Sequence, residues 1–346
     1  MSFLFPSPTI TVEAALRDVA SGSPKARAMA AHALGDVTEP AEKQRALDAL
    51  VRALDDDRPE VRAEAASSLG QLAERSALPH LIKRLGDGAP PVRQNAAIAL
   101  GALGVALRAT TGDPVTRGGA SDAFGPLADA LRDGAPDLRF QAATSLAEVD
   151  PARAFAPLIA ALADSDPQVV GAAALAVGAI AVELPEHADR ARDVLRPLVE
   201  HGDAGTRFDV AYALAELREP AGRAVLAGSI TDEARAWDAV TALGWLAARD
   251  ELARAAFGKK VPHEAAVLAA GKLLALDPSH EPARRALVEA LRARKVNVRA
   301  LAVEQLGDAG GAWAKPALDK LAGSSKGAEL RDPIAAALRA IQERGT

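Results

Sequence analysis

A fourteen-residue phrase returns along this chain, and it limits the fold more than any other feature. Asp57-Arg-Pro-Glu-Val-Arg-Ala-Glu-Ala-Ala-Ser-Ser-Leu-Gly70 recurs as Gly88-Ala-Pro-Pro-Val-Arg-Gln-Asn-Ala-Ala-Ile-Ala-Leu-Gly101. Further copies begin at Gly134 and Ser165, and weaker ones centre on Arg27 to Gly35, Arg207 to Ala215, Ala236 to Gly244, Val298 to Gly307 and Leu330 to Leu338. His263 to Gly271 is a degenerate copy. The spacing gives a unit of about 31 residues, a period typical of stacked supersecondary units that cannot bury their apolar face alone.

Each unit reads as two helices. Apolar stretches such as Ala46 to Leu54 and Phe155 to Leu162 have 3.6-residue spacing and form a first helix, A. A short Asp/Gly/Ser-Pro turn follows, with proline at a position whose N–H would be unpaired in any case. The second helix, B, buries Val61, Ala65, Ala66 and Leu69 as one face, and Gly70 or Gly101 is expected to end the regular stretch. Composition agrees: about a quarter of the 346 residues are alanine, against 7 Phe, 3 Trp and 1 Tyr. Alanine-rich interiors suit helices packed closely side by side and argue against an all-β or doubly wound fold.

These residues resemble HEAT repeats, specifically the short bacterial HEAT-like type also seen in phycobilin lyases. The resemblance covers roughly residues 12–345. It implies an all-α fold, a right-handed α-solenoid of about ten to eleven stacked hairpins. The expected organisation is an N-terminal arm over 1–11 and a single solenoid over 12–346, with a loop inserted at 105–119 where one repeat step lengthens to 46 residues. A second family mark is an aspartate six residues before the helix-B arginine: Asp56/Arg62, Asp87/Arg93 and Asp133/Arg139, with Asp164 facing Val170. In such families the pair forms a ladder between adjacent turns, so these charges are assigned to structure and not to catalysis.

Several classes are excluded or disfavoured. Without cysteine there is no disulfide framework, Cys-ligated zinc, iron–sulfur cluster or thiol nucleophile. The N-terminus lacks the features of a signal peptide and no run is long enough to span a membrane, so the expected location is cytoplasmic. Net charge is −5, with residues 251–346 basic and the rest acidic. Phosphate-binding, zincin and nucleophile-elbow motifs are missing.

HEAT-like deoxyhypusine hydroxylases hold a di-iron centre with several His-Glu pairs. Here only His263-Glu264 lies on a candidate helix, while His280-Glu281 precedes Pro282 in a turn. HEAT-like DNA glycosylases use a basic surface, but the repeats around Trp237 and Trp245 are acidic, which opposes phosphate contacts and disfavours a nucleic-acid partner. Chromophore handling like that of bilin lyases stays open as the enzymatic alternative. No cofactor is expected.

The rare aromatics cluster by register. In the phrase Val-Arg-x-x-Ala-Ala-x-x-Leu-Gly, the first x and the residue four later share one helix-B face, which lines the concave side of HEAT solenoids. Phe140, Leu175, Phe208, Tyr212 and Trp237 fall there, Trp245 extends the row, and Asp209, Glu216 and Asp238 flank it. Either the rings fill gaps in the interior, or they form a groove for an amphipathic helix or extended peptide with basic flanks. The reading adopted is a non-enzymatic scaffold that binds a protein or peptide partner there. Three lesser features are Phe3 and Phe5 as a capping arm or a docking peptide, a basic cluster of Arg292, Arg294, Lys295 and Arg299 as a solvated helix end and turn or a contact for an anionic partner, and Trp313 as a packing residue.

Overall fold

Proline sets where many of the helices begin. The computed structural model describes residues 10–110 and 118–344; Phe3 and Phe5 lie outside them. The chain divides into two compact units, one up to His187 and one from Ala188. The first contains α1 (Val12–Ser21), α2 (Pro24–Gly35), α3 (Pro40–Ala53), α4 (Pro59–Leu72), α5 (Leu78–Arg84), α6 (Pro90–Thr110), α7 (Gly118–Ala130), α8 (Pro136–Val149), α9 (Pro151–Ala161) and α10 (Pro167–Glu183). Seven of these ten start on proline, whose fixed φ and missing N–H match the first helical position.

The second unit contains α11 (Ala188–Leu195), α12 (Ala204–Glu216), α13 (Arg223–Ser229), α14 (Ala236–Trp245), α15 (Arg249–Phe257), α16 (His263–Leu276), α17 (Glu281–Ala290), α18 (Val296–Ala309), α19 (Lys315–Ala322) and α20 (Arg331–Arg344). Each unit therefore holds five hairpins among the described residues. The A helix of every hairpin packs on its B helix, and within a unit each B helix packs on the next. The result is an all-α solenoid with no strand among the described residues.

The boundary between the units follows the B helix in which Val170 replaces the ladder arginine. Two expectations change. The stretch 105–119 is not all loop, since α6 runs on to Thr110 and α7 starts at Gly118, leaving 111–117 outside the described residues. Leu103 to Leu107 carries the helical apolar spacing past the usual stop, and the one glycine within it, Gly104, sits against Val149 of the next B helix.

Nor do Gly70 and Gly101 end their helices. Both lie inside them, at the closest approach of neighbouring B helices. A Cβ on Gly70 would stand 2.8 Å from Ala99 Cα, and one on Gly101 would stand 2.9 Å from Ser145 Cβ. Both glycines are where backbones meet, and the alanines around them keep the remaining contacts short.

The ladder is built between repeats. Arg62 donates from Nε and Nη2 to the Asp87 carboxylate (3.0 and 2.8 Å) and from Nη1 to the carbonyl of Asp56 in its own turn (3.0 Å). Arg139 repeats this with Asp164 (2.8 and 2.7 Å) and the Asp133 carbonyl (3.0 Å). Arg27 takes Asp56 in the same two-pronged way, at 2.7 Å on each prong. Each arginine thus fixes its own turn and grips the next, and Asp87 is only 5% exposed. Arg93 departs from the pattern. Its Nη1 holds the Asp87 carbonyl (3.0 Å), but Nη2 lies 3.7 Å from Asp137 and Nε is buried without a hydrogen bond. The Asp133 carboxylate accepts from Ala135 N (2.8 Å), as the other ladder aspartates do from their own turns, but takes no arginine among the described residues.

In the second unit other arginines tie repeats together. Arg192, Arg218 and Arg249 donate to the carbonyls of Leu217 (2.9 Å), Trp245 (2.7 Å) and Leu276 (3.0 Å) at the C-terminal ends of α12, α14 and α16. A cation there satisfies an unpaired carbonyl and complements the negative end of the helix dipole.

Candidate partner-binding face

The face of interest lies on α12 and α14. Asp203 caps α12 by accepting from Gly205 N (2.6 Å) and Thr206 N (3.0 Å), which fixes the helix start. Val210, Ala211 and Leu214 then turn inward, fully buried, and Phe208, Tyr212 and Glu216 follow one another along an adjacent stripe. Beyond α12 the chain closes with Arg218 N to Ala215 O (3.0 Å) and Glu219 N to Leu214 O (2.9 Å), with Arg218 in the left-handed region at φ 60°. That turn sends the Arg218 side chain across to α14.

Four aromatic rings meet solvent to different degrees. Trp237 is 44% exposed, and Tyr212 and Trp245 are half-buried. Tyr212 and Trp245 pack edge to face at 5.2 Å across the two helices. Phe208 is not an open member of the row: it is 6% exposed and belongs to the core of the second unit. It lies 6.5 Å from Tyr212, and the Arg235 guanidinium covers its ring at 5.3 Å. The interior claims Phe208 because its position faces α14, and Arg235 closes the remaining side.

Carboxyl groups surround these rings. Asp209 and Glu216 are half-buried, and no donor among the described residues bonds either one. Burial raises both above the ordinary carboxylate range, with Arg235 opposing the rise at Asp209. Burial also raises the Tyr212 phenol, and the charges of Glu216 and exposed Asp238 add to it. The face therefore combines an aromatic pair, an exposed indole and acids without a salt-bridge partner among the described residues, Arg235 acting on Asp209 only at a distance.

The other members of the expected row, Phe140 on α8 and Leu175 on α10, belong to the first unit and are half-buried there. Trp313 is half-buried beneath the Arg284 guanidinium, 5.1 Å from its centroid. His280 is the side-chain cap of α17, accepting from Ala283 N (3.1 Å). No group of three His, Asp or Glu among the described residues is arranged to hold a metal ion, and no helix among them is long and apolar enough to cross a membrane. Arg235 and the carbonyl-capping arginines were not found from sequence. They have no aspartate at a fixed offset, and only their recurrence near the hairpin ends could have pointed to them.

Stacked helical hairpins with a broad side-chain face define a repeat fold of the α-solenoid class. The family model for HEAT repeats matches residues 11–117 and 124–189, half of the chain, and the chain belongs to that family. Solved structures agree on the fold. The chain superposes on the Kap95:Nup1 complex with a TM-score of 0.61 at 13% identity, covering 94% of this chain and 51% of that one. For importin beta in an ammonium sulfate condition the values are 0.50, 14%, 96% and 51%. The complex of CpcE and CpcF of phycocyanin lyase from Nostoc sp. PCC7120 matches at 0.39 and 23%, covering 83% and 97%. No curated protein matches the sequence.

Proposed function

We propose that this protein is a non-enzymatic scaffold that captures a basic peptide or protein segment on the helix-B face of its second unit. The observation that carries this reading is the pair of half-buried carboxyls, Asp209 and Glu216, which have no salt-bridge partner among the described residues and stand beside Tyr212, Trp245 and exposed Trp237. A lysine or arginine side chain among them supplies the missing charge and lies against ring faces, and apolar neighbours on the same segment cover Trp237. Electrostatic steering by the acidic rim speeds encounter with such a segment.

The test uses the chain's own fluorophores. Titrating a short peptide of alternating Lys and Leu should change tryptophan emission saturably. Glu216→Gln should weaken binding by about tenfold, the loss typical of a desolvated charge pair. Full affinity for the Lys-Leu peptide in Glu216→Gln would remove the reading.

A further inference from the structure

The second unit carries another surface of opposite sign. A cleft of about 1040 Å³ opens between α15, α16, α17 and the start of α18. Its floor is apolar, formed by Ala266, Val267, Ala290 and Val298. Arg292, Arg294 and Lys295, all exposed, stand on the turn between α17 and α18 and line its mouth. The side chains of Arg292 and Arg294 have no hydrogen bond or ion pair among the described residues. Lys295 has only Glu264 at 3.7 Å.

This turn is held in place from beneath. Arg299 is 6% exposed, not solvated as its cluster suggested, and its Nη1 donates to the carbonyls of Ala293 (3.0 Å) and Arg294 (2.9 Å). Arg62 and Arg139 hold their turns in the same way, but each of those also receives an aspartate from the next repeat. Here the following turn reads Gly323-Ser324-Ser325 and brings no carboxylate, and Arg299 Nε is buried without a hydrogen bond. The first turn of α18 contains no acid and its N-cap, Lys295, offers no capping side chain, so the positive end of the helix dipole adds to the field. Four cations thus stand over residues 292–299, and among the described residues their one ion pair is Lys295 with Glu264, while Glu289 is the one acid lining the cleft.

We infer that this cleft docks an acidic peptide segment, with an aliphatic side chain on the Val267–Val298 floor and carboxylates against Arg292 and Arg294. An apolar floor under a cationic rim selects acid and aliphatic groups together. Nucleic acid is disfavoured because the cleft lining offers the His263 imidazole but no Phe, Tyr or Trp on which successive bases could stack. A bilayer is disfavoured because the apolar groups are recessed instead of protruding. With the aromatic face above, the second unit offers two sites of opposite charge preference.

The experiment measures fluorescence anisotropy of a short labelled peptide of alternating Glu and Leu against the full chain. Saturable binding that weakens with salt is expected, reduced about tenfold or more in the double variant R292E/R294E. R292K/R294K and Trp237→Ala should bind as the parent does. Hydrogen exchange of the unaltered protein, with and without peptide, should show protection confined to residues 286–299 and the start of α16. The inference is overturned by absence of saturable binding, by undiminished binding in R292E/R294E, or by protection elsewhere. Retention by phosphatidylserine vesicles or duplex DNA in place of the acidic peptide also overturns it. Because Trp237→Ala and R292E/R294E act on different peptides, failure here leaves the aromatic face untouched and the reverse holds too.

Discussion

Phe208→Ala and Trp237→Ala should separate support from contact. The two rings occupy the same register position on neighbouring B helices, but Phe208 is 6% exposed and Trp237 is 44% exposed. Removing a buried phenylalanine costs about 3 to 5 kcal/mol through lost transfer energy and the cavity left behind. Losing the ring beneath Arg235 adds about 0.5 kcal/mol. Trp237 keeps roughly half of an aromatic surface in contact, about 100 Å² at 25 cal/mol per Å², and compact unfolded states reduce that to at most about 2 kcal/mol. All three tryptophans, Trp237, Trp245 and Trp313, belong to the second unit, so emission during urea unfolding reports on that unit alone. With a slope near 2 kcal/mol per molar, Phe208→Ala should lower the midpoint by about 2 M and Trp237→Ala by no more than about 1 M. Trp237→Ala should also lose the Lys-Leu peptide. Equal midpoint shifts for the two variants would refute the division into a buried support and an exposed contact.

Other outcomes follow from the stack itself. Gly70→Ala removes a poor helix former, yet its Cβ would meet Ala99 Cα at 2.8 Å, so a net loss of about 1 to 2 kcal/mol is expected by chemical denaturation of the first unit. Asp87→Asn leaves Arg62 facing a neutral amide in a mostly covered site and should cost about 2 kcal/mol, read from the same far-ultraviolet transition. Arg62 and Arg139 hold Asp87 and Asp164 below the ordinary carboxylate range. Their contribution is complete above the unfolded-state pKa and is lost as pH falls through the lowered values, so the first unit should weaken in acid. Asp209 and Glu216 behave oppositely. Their raised values favour the protonated form in the free protein, a gain present at low pH and lost as pH rises through them. A basic peptide needs them ionised, so its affinity should fall as pH is lowered from neutral into that raised range, with proton release on binding detectable by calorimetry in buffers of different ionisation enthalpy.

The repeat was legible because its period and its helix-start prolines are local signals, and the helices begin at Pro59, Pro90, Pro136 and Pro167 where the phrase places them. The direction of the arginine contacts was not. A spacing of six in sequence relates Asp56 to Arg62, but the carboxylate serves the preceding repeat and only the carbonyl serves its own, a distinction that depends on how hairpins stack. Glycine was misread for a similar reason: at the end of a motif it looks like a stop, and the neighbouring helix that requires it is a whole repeat away. Phe208 and Trp237 share one register position and differ in burial because Arg235 covers only the first. The cleft beneath Arg292 and Arg294 is assembled from four helices, and no window of sequence contains it.

The two-sided arginine fork also gives the first unit a modular grammar. Because the carboxylates of Asp56, Asp87 and Asp164 are each read by the repeat before, a whole repeat can be lost without breaking a rung of the ladder in two. Excision of residues 57–87, one period of 31 residues by the numbering, keeps Arg27 on Asp56 and joins that turn to the helix of Arg93. Any cut out of phase would strand one charge of a rung. Growth and shrinkage of such an array by whole repeats is therefore nearly free of electrostatic penalty, so the number of repeats can drift in evolution or be set by design while the rungs stay paired.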